Sequence, residues 1–167
     1  MFELKTSTAA GKREFYDELT GQAEALLDHE TDPLANAANF AALLYHSLAD
    51  INWAGFYFYR GGELIVGPFQ GKPACVRIAI GKGVCGTAAE RRSVIVVADV
   101  NAFPGHIACD SASRSEIVIP LLDAGRLLGV LDLDSPIPAR FEEEDQAGLE
   151  RLAAIFLQRT DLRQWPA

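Results

Sequence analysis

The segment from Ser115 to Asp134 constrains the chain most. Two long apolar runs, Ser115–Leu122 and Arg126–Asp134, are separated only by Asp123-Ala124-Gly125. This reads as an antiparallel hairpin with a three-residue loop and glycine in the left-handed position. The loop sets Leu122 opposite Arg126 and, counted back along the strands, Glu116 opposite Asp132. The other face pairs Ile117 with Leu131 and Leu121 with Leu127. A slip of one residue would put Glu116 beside Leu133 and mix the faces, which burial disfavours. Glu116, Asp132 and Asp134 therefore share one face with Val118 and Val130. Like charges across a sheet cost stability. A solvated strand end explains them plainly, since charge is common there. The functional alternative is a carboxylate cluster at a pocket mouth that holds a cation or supplies a proton.

The rest of the chain alternates around this hairpin. Residues 12–29 carry Phe15, Leu19, Ala23, Leu26 and Leu27 at helical spacing. Asp32-Pro33 reads as an N-cap followed by proline at the first helical position. The helix it starts shows Leu34, Ala37, Ala38, Ala41, Leu44, Tyr45 and Leu48 on one face. Trp53–Tyr59 and Glu63–Phe69 are strands turned by Gly61-Gly62. Cys75–Ile80 alternates, with Val76, Ile78 and Ile80 apolar. A short helix over 83–92, a strand Val94–Ala98 and a polar loop from Asp99 to Arg114 precede the hairpin. A last helix over 142–160 begins with Glu142-Glu143-Glu144-Asp145, which suits the positive end of its dipole, and turns Leu149, Leu152, Ala153 and Phe156 inward. Terminal helices around hairpin-linked strands predict an α+β domain with one mainly antiparallel sheet and helices on one side.

The 167 residues fit one domain, 1–167, since domains run roughly 100–200 residues. A net charge of −8 argues against nucleic-acid binding. No run approaches the roughly 18 apolar residues of a membrane span. The N-terminus lacks a basic stretch followed by an apolar one, so the chain reads as soluble and cytoplasmic. Cys75, Cys85 and Cys109 are an odd set, a poor structural disulfide framework. Inert buried thiols are the bland reading.

Three local patterns carry chemistry. Gly81-Lys82-Gly83-Val84-Cys85-Gly86 matches a dinucleotide fingerprint, but antiparallel hairpins flank it in place of a βαβ unit, so a glycine-permitted turn explains it better. It puts Cys85 in the first turn of a helix, where the dipole lowers a thiol pKa. His106 with the three cysteines could form a Cys3His zinc site, but no paired spacing supports it. Cys109 lies in a polar stretch with Ser111, Ser113 and Ser115, which favours a reactive thiol over a packed one.

Taken together, Asp50–Tyr57, Gly67–Lys72, Ala74–Ile78, Gly83–Thr87, Gly105–Asp110, Ser115–Val118 and Leu131–Ser135 resemble free methionine-(R)-sulfoxide reductase, over about residues 14–160. Pro104 departs from that family's pattern, which often has an acidic residue there. The resemblance implies a GAF-like fold, with about six mainly antiparallel strands and terminal helices packed on one side. It implies reduction of free L-methionine (R)-sulfoxide, with thioredoxin as reductant, no metal, no other cofactor, and a homodimer as a family-level expectation. Cys109 matches the nucleophile and Cys75 the resolving thiol, while Cys85 stays open as a rival nucleophile. Glu116, Asp132 and Asp134 match substrate carboxylates, with Glu116 or a neighbour as acid, and Trp53 and Tyr57 would wall the methyl-thio end. Carboxylates near Cys109 should suppress its thiolate. Either Arg77, Lys82 or Arg114 offsets them, or one carboxyl stays protonated. The rivals are a ligand-binding GAF module and a thiol redox sensor.

Overall fold

The computed structural model describes residues 2–106 and 110–166. Four helices, α1 (Lys12–Leu26), α2 (Pro33–Ser47), α3 (Gly83–Arg91) and α4 (Glu143–Arg159), accompany six strands. These are β1 (Trp53–Arg60), β2 (Glu63–Gly71), β3 (Arg77–Ala79), β4 (Ile95–Val97), β5 (Ser115–Asp123) and β6 (Arg126–Ser135). They form one sheet in the order β3-β2-β1-β6-β5-β4, every neighbour antiparallel.

The alternation of strand side chains divides the core in two. Ala54, Phe56 and Phe58 of β1, Ile117, Ile119 and Leu121 of β5, and Leu131 and Leu133 of β6 point to α1, α2 and α4. Phe40, Phe56 and Phe156 pack there with ring centroids 4.8–6.1 Å apart. Each such side chain contributes roughly 1.5–3 kcal/mol by leaving water. The intervening residues, Trp53, Tyr57, Val118 and Val130, point the other way and meet Val84, Cys85, Ala88 and Ala89 of α3. Three helices thus close one face, while a single short helix covers the other and leaves room beside it.

The helix starts are as the sequence predicts. Asp32 accepts from the N–H groups of Leu34 and Ala35 with Pro33 following. The buried stripe of α2 is rotated from the expected one, however. Leu34 is 55% exposed and Ala38 is also exposed, while Phe40 and Asn36 are buried. Asn36 turns inward because its amide donates to Glu30 O, Arg159 O and Thr160 Oγ1, a polar use of a core position that apolar periodicity does not register. β3 is likewise shorter than its alternation suggests, with Val76 outside it and 62% exposed.

The β5–β6 hairpin differs from expectation in an instructive way. Its turn has two residues, Ala124 and Gly125, both with positive φ (47° and 84°), so Asp123 faces Arg126. This is the type I′ geometry that suits strand twist. One residue fewer in the turn would by itself flip the faces, but the register shifts again beyond Leu122, where Leu121 faces Gly129. The extra residue is Leu128, a bulge whose carbonyl accepts from Trp165 Nε1 at 2.9 Å. The two shifts together restore the faces. Glu116 therefore sits opposite Asp134, and Val118 opposite Asp132. Glu116 and Asp132 are diagonal neighbours on one face, not direct partners.

The start of α4 is tied to α1 through Asp145, which is buried. It accepts from Tyr16 Oη (2.9 Å), Arg140 Nη1 (3.1 Å), Lys12 Nζ (2.6 Å) and the backbone N–H of Glu142 (2.9 Å). Burial works to raise this carboxyl's pKa, but the bonds from Lys12, Glu142 and Arg140 hold it below its usual value. Asp145→Ala is expected to lose about 2–4 kcal/mol of stability, because it strands Lys12, Arg140 and the Tyr16 hydroxyl. The contribution is present above the unfolded carboxyl pKa of about 3.9 and is lost as pH falls through the lower folded value. Urea unfolding of variant and parent should thus converge in acid. A difference below about 0.5 kcal/mol at neutral pH would remove Asp145 from this role.

Candidate functional site

The site lies on the α3 face of the sheet, in a cleft with about 520 Å³ of space between atoms, part of it open to solvent. Two strand rows form its floor. In one, Trp53, Asp134 and Glu116 stand side by side across β1, β6 and β5. In the next, Gly55, Asp132 and Val118 do. Gly55 leaves no space for a side chain, since a Cβ there would come within 2.3 Å of Phe69 Cβ and 2.8 Å of the Trp53 indole. Trp53 is stacked with Phe69 (centroids 5.2 Å) and Tyr57 (5.8 Å), and its Nε1 donates to Lys72 O at 3.2 Å. The indole is thereby fixed as one apolar wall.

Sequence-derived candidates converge here. Trp53, Tyr57, Cys85, Glu116, Asp132 and Asp134 all line the cleft. Cys75 lies just before β3, half-buried against the same apolar cluster, and does not line it. Cys109 falls outside the described residues, but its described neighbours His106 and Asp110 both line the cleft.

Cys85 is where the electrostatic expectation fails. It does occupy the first turn of α3, but it is only 4% exposed, and its Sγ donates towards Glu116 Oε1 at 3.8 Å. Burial pushes its pKa well above the ordinary thiol value, and the carboxylates of Asp132 and Glu116 add to the push. Desolvation and two like charges outweigh a short helix dipole. Cys85 is a neutral hydrogen-bond donor here, not an activated thiolate.

The carboxyl groups are perturbed in the same direction. Burial raises Asp132 to about 7, with hydrogen bonds that it accepts from Cys85 and from Glu116 pulling back. Burial, then the charges on Asp132 and Asp134, raises Glu116 well above its usual range. Burial, then Asp132 and Asp110, raises Asp134. The three titrate as one system and do not all ionise near neutral pH. Asp132 Oδ1 is buried with no hydrogen-bond partner among the described residues. His106 Nε2 lies 3.9 Å from Glu116 Oε2, and burial lowers the imidazole pKa.

Of the three expected offsetting cations, only Lys82 lines the cleft. Arg77 pairs with Glu63 at the surface, and Arg114 is exposed. Lys82 does line the cleft, and so does Lys72, which sequence reading overlooked. Lys72 Nζ meets Asp110 at 3.2 Å, and Asn52 Nδ2 donates to Asp110 Oδ2 (3.3 Å) and Ser113 Oγ (3.1 Å). These bonds clasp the loop before β3, through Lys72, and the entry to β1, through Asn52, to the loop before β5. Asp110 also accepts from Ala112 N at 2.9 Å, a local turn that its Asp-Ser-Ala sequence could have announced.

A GAF domain model matches residues 22–158. The free methionine-R-sulfoxide reductase of Escherichia coli is 54% identical over 143 residues, which cover 86% of this chain and 87% of that protein. The enzyme of the same name from Saccharomyces cerevisiae is 45% identical over 158 residues, covering 90% and 88%. The crystal structure of free methionine-R-sulfoxide reductase from Neisseria meningitidis, in complex with its substrate, superposes with a TM-score of 0.91 at 46% identity and covers 95% of each chain. The chain belongs to the GAF domain family and, within it, to the group of free methionine-R-sulfoxide reductases.

Proposed function

We propose that the protein reduces free L-methionine (R)-sulfoxide to L-methionine through a cysteine cycle regenerated by thioredoxin. The single observation that carries the reading is the meeting, in one cleft, of the fixed Trp53 wall and three pKa-raised carboxyl groups, flanked by the ends of the Cys109 segment. Its relatives of that name support the substrate class.

Each group then has a task. Trp53 and Tyr57 pack the methyl-thio end. The carboxyl cluster receives the ammonium group, and Asp132 Oδ1 has an acceptor lone pair to offer. Cys109 attacks the sulfoxide sulfur as thiolate, and a protonated carboxyl, Glu116, gives its proton to the sulfoxide oxygen. That oxygen passes to Cys109, leaving a sulfenic acid, and methionine departs reduced. Cys75 condenses with the sulfenic acid, releasing water and forming a disulfide, which the dithiol of thioredoxin reduces. A carboxyl that stays protonated near neutral pH answers the conflict between acid groups and a thiolate nucleophile, because a neutral acid does not suppress ionisation of the thiol.

Thioredoxin-coupled NADPH consumption tests the reading with free (R)- and (S)-sulfoxides and a peptide containing an internal sulfoxide. Peptide-bonded methionine has no ammonium group to satisfy the buried carboxylates. Discrimination in kcat/KM of roughly a hundredfold or more for the free (R)-amino acid is expected. Comparable values for the internal peptide sulfoxide would refute the substrate assignment.

A further inference from the structure

We propose that the reduced cleft is also a binding site for a zinc-class divalent cation, held by Cys85, Glu116 and Asp132 with His106 beside them, and that the bound cation excludes the substrate. The inhibitory half of this inference rests on the reductase reading, while the binding half does not.

The geometry comes from four separate elements, so no paired spacing announces it in the sequence. Sγ of Cys85 and one oxygen each of Glu116 and Asp132 lie within 4.8 Å of one another, all buried. The Cys85 to Glu116 distance is 3.8 Å, and His106 Nε2 is 3.9 Å from the second oxygen of Glu116. Ligand atoms of a tetrahedral zinc stand roughly 3.3–3.8 Å apart, given metal–ligand bonds of about 2.0–2.3 Å. Drawing the Cys85, Glu116 and Asp132 atoms together by up to about 1 Å reaches that spacing, and His106 would supply the fourth ligand. The site differs from a Cys3His reading, since Cys75 does not line the cleft.

A second observation points to a ligand independently. Asp132 is only 6% exposed, and its Oδ1 lies buried with no hydrogen-bond partner among the described residues. An orphaned carboxylate oxygen is costly unless a donor or cation arrives. His106 is held neutral by burial, the form in which imidazole ligates. A thiolate, an imidazole and two carboxylate oxygens suit zinc, whereas magnesium and calcium demand all-oxygen shells. On binding, the thiol gives up its proton and the cation takes its place beside the carboxylates. The metal then occupies the space in which Asp132 and Glu116 would meet the substrate, so zinc competes with methionine sulfoxide.

The test uses reduced full-length protein in which Cys75→Ser and Cys109→Ser leave Cys85 as the sole thiol. Cadmium is titrated first, because a cadmium–thiolate bond absorbs in the near ultraviolet. Zinc affinity is read by competition with a chromogenic chelator. One cadmium per chain with a charge-transfer band is expected, and Cys85→Ser on the same background abolishes the band. Asp132→Asn and, separately, Glu116→Gln weaken zinc by roughly a hundredfold. No band, or unchanged zinc affinity in both Cys85→Ser and the carboxyl variant that folds, overturns the site. In the wild-type protein, zinc should raise the apparent KM for methionine sulfoxide and leave kcat unchanged. Zinc that binds but lowers only kcat overturns the exclusion. Turnover without metal binding sinks this inference alone, and metal binding in a protein inert to every sulfoxide sinks the reductase reading alone.

Discussion

Cys109→Ser is expected to abolish methionine formation even in a single turnover without thioredoxin, while Cys75→Ser still yields one equivalent before it stalls. Cys85 reaches the cleft, but burial and two carboxylates keep it protonated, so it is a poor nucleophile. Cys75 is half-buried at the sheet edge and does not line the cleft. Cys109 lies in the sequence between His106 and Asp110, which both line the cleft, and Asp110 is clasped by Lys72 and Asn52. A nucleophile forms product before any resolving step, so its loss removes the first equivalent. Loss of a resolving thiol removes only the later ones. Chemical quench of stoichiometric enzyme with (R)-sulfoxide, followed by amino-acid analysis, separates the two. One equivalent of methionine from Cys109→Ser would transfer the nucleophile role to another thiol, despite the raised pKa of Cys85.

The sequence was most legible where period alone decides. The carboxyl groups share a face because Glu116, Asp132 and Asp134 alternate with Ile117, Leu131 and Leu133, and either face assignment follows from burial of the leucines. The partner across the strand was not legible. Alanine at positive φ is uncommon, so the two-residue turn at Ala124 escaped reading, and Leu128 looks like any other leucine although it is the bulge. α2 shows the same limit in a helix. A buried asparagine whose amide is satisfied by backbone and Thr160 looks like a solvent position, and the stripe rotates accordingly. At the site, what local sequence shows is the dipole under Cys85, whereas what decides its pKa comes from strands far along the chain, Glu116 being 31 residues away. The Lys72–Asp110 clasp spans 38 residues and carries no local signature either.

The geometry makes a directional prediction about acid catalysis. Glu116→Gln keeps a hydrogen-bond donor next to Cys85 but removes the transferable proton, and kcat is expected to fall on the order of 10²–10⁴-fold, as for a lost general acid. Asp132→Asn should act differently. After burial, the negative charge of Asp132 does most to raise Glu116, so its removal lowers the Glu116 pKa. A general acid works only while protonated, so the rate falls as pH rises through that pKa. The alkaline limb of the kcat profile should therefore move to lower pH in Asp132→Asn, with kcat retained at acid pH. The stability effect has a sign of its own. Asp132 has a folded pKa of about 7, above its unfolded value of about 3.9, so the stability its carboxyl contributes is full below the unfolded value and is lost as pH rises from there through the folded one. Asparagine cannot ionise, so the variant's melting temperature should exceed the parent's at alkaline pH and lose that advantage in acid. Near-normal kcat in Glu116→Gln would end the acid role even with the cleft intact. A limb that stays in place in Asp132→Asn would show that the two carboxyl groups, diagonal across β5 and β6, do not share their protons.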